Sequence, residues 1–83
     1  MRYFFNLAGA IHRPDNKGLM IATLSDARIE AVKFAAEYLR DRPELVWLGE
    51  EFRVEVTDGE GRTMFTFIAV GVDSPPHEGR LRL

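Results

Sequence analysis

The chain has 83 residues, a net charge of −2, six Phe, two Tyr, one Trp and no cysteine. A chain of this length holds one domain and is short for building a self-sufficient core; without cysteine it has no disulfide framework, zinc–thiolate centre or redox pair. No apolar run approaches the roughly 20 residues of a membrane span, the start lacks the apolar stretch of a secretory signal, and no basic tract favours nucleic-acid phosphates. The expectation is therefore a cytoplasmic protein with no membrane partner and with non-specific nucleic-acid binding disfavoured.

Arg2 to Ala8 reads as a strand, with Tyr3, Phe5 and Leu7 on one face and Phe4 and Asn6 on the other. Gly9 ends it, and the polar stretch that follows carries Pro14 and a D-N-K-G turn over 15–18. Leu19 to Thr23 (L-M-I-A-T) reads as a short second strand folding back on the first. Ser25 to Arg40 is the principal helix: Asp26, Glu30, Lys33, Glu37 and Arg40 form a narrow polar stripe. Ala27, Ile29, Ala31, Val32, Phe34, Ala35, Ala36, Tyr38 and Leu39 make a wide apolar arc. Ser25 is the expected N-cap, with Thr23, which has Asp26 three residues on, as the competing one. Pro43 stops the helix, and Glu44 to Leu48 could form one more helical turn before Gly49.

Phe52 to Thr57 alternates cleanly, and the loop D-G-E-G over 58–61 leads into a fourth strand over Arg62 to Val70. With a four-residue loop, Thr57 faces Arg62, Val56 faces Thr63, Val54 faces Phe65 and Phe52 faces Phe67; a bulge at Gly61 is the competing arrangement. The stretch over 71–83, with two prolines and His77, is expected as a flexible C-terminal tail beyond a single domain over 1–70. The order of elements gives an α+β, ββαββ fold: a four-stranded, mainly antiparallel sheet with one helix packed on one face. Strand order 2-1-3-4 is favoured, and the alternative places the fourth strand beside the first with one parallel pair. Phe5, Phe34, Val54 and Phe65 are expected between helix and sheet.

No catalytic, metal or cofactor pattern is present. His12 and His77 share no ligand spacing with carboxylates, Asp15-Asn16-Lys17-Gly18 lacks the alternating oxygens of a calcium loop, and no phosphate-binding glycine motif occurs. Ser25 and Ser74 have no histidine at a motif distance, so the expectation is no enzyme. Two features point outward instead. Arg28 lies in the middle of the apolar arc and in the first helical turn, where the dipole disfavours a cation; a partner in Asp15 or Asp58, or an anion site, would account for it. The sheet face opposite the helix carries Phe4, Met64 and Ile68, a candidate interaction face.

The runs R-Y-F-F-N at 2–6, D-N-K-G at 15–18, L-S-D-A-R-I-E-A at 24–31 and V-E-V-T-D-G-E-G-R-T at 54–63 occur in that order. Together they resemble a family of small bacterial domains of unknown function, with an R-Y-[FY]-F start, a D-x-x-G turn, an A-R-x-E-A helix and a V-x-V-x-D-x-x-G-R hairpin. The resemblance spans about residues 2 to 70 and implies the fold above without an activity. T-L-S-D-A at 23–27, with the M-R-Y start, also resembles the antitoxins of HicAB-type toxin–antitoxin systems. The leading functional expectation is a non-enzymatic interaction module that forms a homodimer, through the uncovered sheet face or the apolar edge at Leu19 to Thr23. The alternative is an antitoxin-like or regulatory protein that binds a toxin or nucleic acid.

Overall fold

A computed structural model describes residues 1–75. The elements are β1 (Arg2–Gly9), β2 (Leu19–Met20), α1 (Leu24–Asp41), a 3-10 helix (Pro43–Trp47), β3 (Phe52–Thr57) and β4 (Thr63–Ala69). The four strands form one sheet in the order β2-β1-β3-β4, every neighbouring pair antiparallel, with α1 against one face. Of the tail expected over 71–83, residues 76–83, His77 among them, lie outside the described residues. At its start the Gly71 N–H donates to the Val46 carbonyl at 2.8 Å.

Strand alternation decides the core. Tyr3, Phe5 and Leu7 of β1 meet Phe52, Val54 and Val56 of β3 on the helix side, and all six are buried. Ala27, Ala31 and Ala35, one turn apart along α1, are also buried: their small side chains let the helix backbone settle onto the sheet. Leu45 of the 3-10 helix closes one end. An aromatic series, Phe5–Phe34–Tyr38–Phe52, runs through the layer between helix and sheet with ring centroids 6.4, 6.4 and 6.0 Å apart. Edge-to-face and tilted contacts of this kind stabilise beyond simple area burial.

Four details depart from the sequence-based expectations. The N-cap is Thr23, whose Oγ1 accepts from the Asp26 N–H at 3.1 Å, so the helix begins before Ser25. The second strand keeps only Leu19 and Met20, because the chain turns toward the cap immediately afterwards. The apolar arc of the helix is only partly used: Ile29 and Val32 are 54% and 48% exposed, Ala36 is exposed and Phe34 is half-buried. A single cylinder lying on a sheet touches it along one line, so only the alanine row and its immediate flanks are covered. Phe65 is likewise half-buried, because β4 is the outermost strand.

The fourth concerns the β3–β4 register. Thr57 faces Thr63, Val56 faces Phe65, Val54 faces Phe67 and Phe52 faces Ala69. The expected register moves by two residues, for two reasons. Gly61, at φ +82°, donates its N–H to the Asp58 carbonyl at 3.1 Å, while the Asp58 N–H donates to the Arg62 carbonyl at 2.9 Å; the loop therefore shrinks to three residues. Met64 is then the extra residue of a bulge where the register shifts between Val56 and Thr57. Two single-residue shifts preserve parity, which is why Phe65 and Phe67 still face the helix.

Candidate functional site

The site begins with an incomplete strand. Beyond Gly9 the chain doubles back along the outer edge of β1: Leu7 exchanges hydrogen bonds with Arg13 (2.9 and 3.0 Å), and Tyr3 pairs with Leu19. Between these two pairings the chain leaves the edge over residues 14–18. Pro14 has no N–H to extend a ladder. Asp15 takes its place: one carboxylate oxygen accepts from the Phe5 N–H at 3.0 Å, and the other accepts from Lys17 N (2.9 Å) and Gly18 N (3.1 Å). A side-chain carboxylate thus substitutes for the missing strand carbonyl and also closes its own turn.

Asn6, on the outer sheet face, locks the arrangement. Its Oδ1 accepts from the Asp15 N–H at 2.9 Å, and its Nδ2 donates to the Glu55 carbonyl at 3.0 Å and Thr57 Oγ1 at 3.2 Å. Gly18 sits at φ +71°, where a Cβ would come within 2.8 Å of the Arg2 side chain and 2.9 Å of the Phe4 ring. The N of R-Y-F-F-N and the D and G of D-N-K-G are therefore one structural unit. Burial pushes the Asp15 carboxyl up, but the N–H groups of Phe5, Gly18 and Lys17, with the Lys17 charge, outweigh it and hold the group below the ordinary aspartate range.

A cleft of about 490 Å³ opens between this loop and α1. Phe5 and Phe34, edge to face, lie at its base. Arg13 and Lys17 line it from the loop, and Glu30 and Glu37 line it from the helix, one on each side of Phe34 in sequence. These four charged residues carried no role in the sequence reading, where Glu30 and Glu37 belonged to a solvent stripe. The available signal was the spacing Glu30–Phe34–Glu37, which puts two carboxylates and a ring on one helix face.

The expected pairing of Arg28 with Asp15 or Asp58 does not form. Arg28 is exposed, on a line with the exposed Val32 and Ala36, and makes no ion pair among the described residues. Its place in the apolar arc ceases to be anomalous, because that part of the arc faces solvent. Both carboxylates are captured by their own turns. Asp58 is 3% exposed and accepts from Glu60 N (2.8 Å), Arg62 N (2.9 Å) and Arg62 Nε (2.8 Å). The Arg62 backbone N–H is foremost in holding its carboxyl below the ordinary range, against the opposing effect of burial.

The outer sheet face separates the three candidate interaction residues. Met64 and Ile68 lie on β4, 39% and 54% exposed, whereas Phe4 lies on β1 against the Gly18 turn and is half-buried. Between them runs the polar column of β3, Arg53, Glu55 and Thr57. Arg53 is gripped by Glu51 at 2.8 Å and Glu55 at 3.0 Å, and these bonds, that to Glu51 first, raise the guanidinium pKa further. Among the described residues no group of three or more His, Cys, Asp or Glu side chains could hold a metal ion, and no helix is long and apolar enough to cross a membrane.

A family model described as a domain of unknown function, DUF6894, matches residues 2–70, and the chain belongs to that family. No curated protein and no solved structure matches the chain.

Proposed function

We propose that this domain is a non-enzymatic interaction module of the cytoplasm that self-associates, two copies pairing their β4 strands edge to edge. The observation that carries the reading is the character of that strand. Thr63–Ala69 (T-M-F-T-F-I-A) is the outer strand of the sheet and contains no charged residue and no proline. Sheet edges are ordinarily blunted by Lys, Pro or very short strands, as the two-residue β2 is at the opposite edge. Among the described residues no backbone bond is made to the outer edge of β4, beside exposed Met64 and Ile68.

The strand is also self-complementary. An antiparallel pairing about a two-fold axis at Thr66 sets Met64 against Ile68 of the second copy and Phe65 against Phe67 of the second copy, joining two four-stranded sheets into one. The absence of catalysis is part of the proposal. It is supported by the use of Asn6, Asp15 and the buried Asp58 in holding turns and strand edges. Light scattering coupled to size exclusion tests the proposal: the parent runs as a dimer, and Thr66→Lys, which sets like charges opposite each other, runs as a folded monomer whose melting temperature, unlike the parent's, does not depend on concentration. A parent that stays monomeric at high micromolar concentration overturns it. Co-purification from the native host with a small toxin in place of a second copy favours the antitoxin-like alternative.

A further inference from the structure

We propose that the cleft between α1 and the 13–19 loop binds a dipolar ligand of the amino-acid class, a free amino acid or short peptide with an apolar side chain. Its ammonium end would meet the helix wall and its carboxylate end the loop wall. The inference is independent of self-association, since the cleft lies at the β2 side of the sheet and β4 is the opposite edge.

The charges of the walls carry the argument. Arg13 and Lys17 face the cleft from one side, with the Asp15 carboxylate between them already taken up by the Phe5, Lys17 and Gly18 N–H groups, and Glu30 and Glu37 face it from the other. Among the described residues no ion pair closes the gap between them: the partner of Glu30 is Lys33 on its own helix, at 3.7 Å, and Glu37, Arg13 and Lys17 pair with nothing within 4.0 Å. The loop cannot simply fold over to meet the helix, because the Asp15 carboxylate ties it to the Phe5, Lys17 and Gly18 N–H groups. Opposite charges are thus held apart across an apolar base of Phe5 and Phe34.

Each simpler ligand class is disfavoured by one wall. An inorganic anion attracted to Arg13 and Lys17 is repelled by Glu30 and Glu37, and a simple cation meets the reverse. A purely apolar ligand leaves both charged walls partly desolvated without partners. A molecule with an ammonium, a carboxylate and an apolar group between them satisfies both walls and the two lining aromatic rings together. The volume, about 490 Å³, lies in the usual range for small-molecule clefts and admits a ligand from one amino acid to a few residues.

The test is a titration of the full ¹⁵N-labelled chain, followed by amide NMR shifts, with phenylalanine, with the dipeptide Phe-Phe, and with N-acetyl-phenylalanine amide, which lacks both charges. Expected are saturable shifts at Lys17, Gly18 and the 30–37 turn with at least one zwitterion, none with the uncharged analogue, and roughly three- to tenfold weaker binding in Glu37→Gln and in Lys17→Gln. Tighter binding of phenylalanine identifies a free amino acid as the ligand source, and tighter binding of Phe-Phe identifies peptide. No saturation with either zwitterion overturns the proposal. So does equal binding of the uncharged analogue, or undiminished binding in both variants. Thr66→Lys leaves the titration unchanged, which separates this result from the fate of the β4 pairing.

Discussion

Asp15→Ala is the substitution that bears most directly on how the loop edge is built. It removes the acceptor for three N–H groups, those of Phe5 at 3.0 Å, Lys17 at 2.9 Å and Gly18 at 3.1 Å. A hydrogen bond to a charged group contributes roughly 1.5–3 kcal/mol when enclosed. The Lys17 bond is exposed, so water replaces it at little cost; the other two are partly buried and Asp15 itself is only half-covered. Discounting for that exposure leaves about 1 kcal/mol for each of the two, or about 2 kcal/mol in all. For a domain of this size that lowers the melting temperature by about 10 °C. Asp15→Asn keeps one carbonyl acceptor and should lose about half as much. Thermal and urea unfolding followed by circular dichroism measure both, and hydrogen exchange at Phe5 reports the local opening. An Asp15→Ala variant that melts within a degree of the parent would refute the substitution of carboxylate for strand carbonyl. The acid limb gives a second reading. Asp15 and Asp58 both have folded pKa values below the ordinary one, so the unfolded chain takes up their protons first as pH falls. Their stabilisation is complete above about pH 4 and drains away as pH drops through the folded values; Asp15→Ala therefore shows a shallower loss of stability with acid.

Thr23→Ala should lower stability by about 1 kcal/mol in urea titration, because it removes the acceptor of the Asp26 N–H, whereas Ser25→Ala should stay within about 0.5 kcal/mol. Arg28→Met should also stay within about 0.5 kcal/mol of the parent, and sulfate should shift the melting temperatures of the two proteins equally, since Arg28 is exposed and makes no ion pair among the described residues.

The sequence by itself determined what is local and periodic. Alternation in Tyr3–Phe5–Leu7 and Phe52–Val54–Val56 sets which face each strand buries, the four-residue alanine spacing sets which line of the helix touches the sheet, and Pro43 sets where the helix stops. Chain order with one crossover helix favoured the strand order β2-β1-β3-β4, which the fold has, but left open whether the first strand pairs with the third or with the fourth. Even the misplaced hairpin register kept its inward face, because side-chain parity survives a shift of two. The tertiary structure decided everything that depends on who is near. How much of the helix's apolar arc is covered follows from the breadth of the sheet beneath it, so Ile29 and Val32 remained outside and Arg28 needed no partner. Asp15 and Asp58 were expected as partners of Arg28, but their partners are the N–H groups of their own turns and, for Asp15, a strand ten residues earlier. The cleft is assembled from Arg13, Lys17, Glu30 and Glu37, which share no motif in the chain. Each reads as an ordinary solvated charge until the interrupted edge of β1 and the polar stripe of α1 are brought face to face, and that juxtaposition comes from packing geometry, which no local pattern encodes.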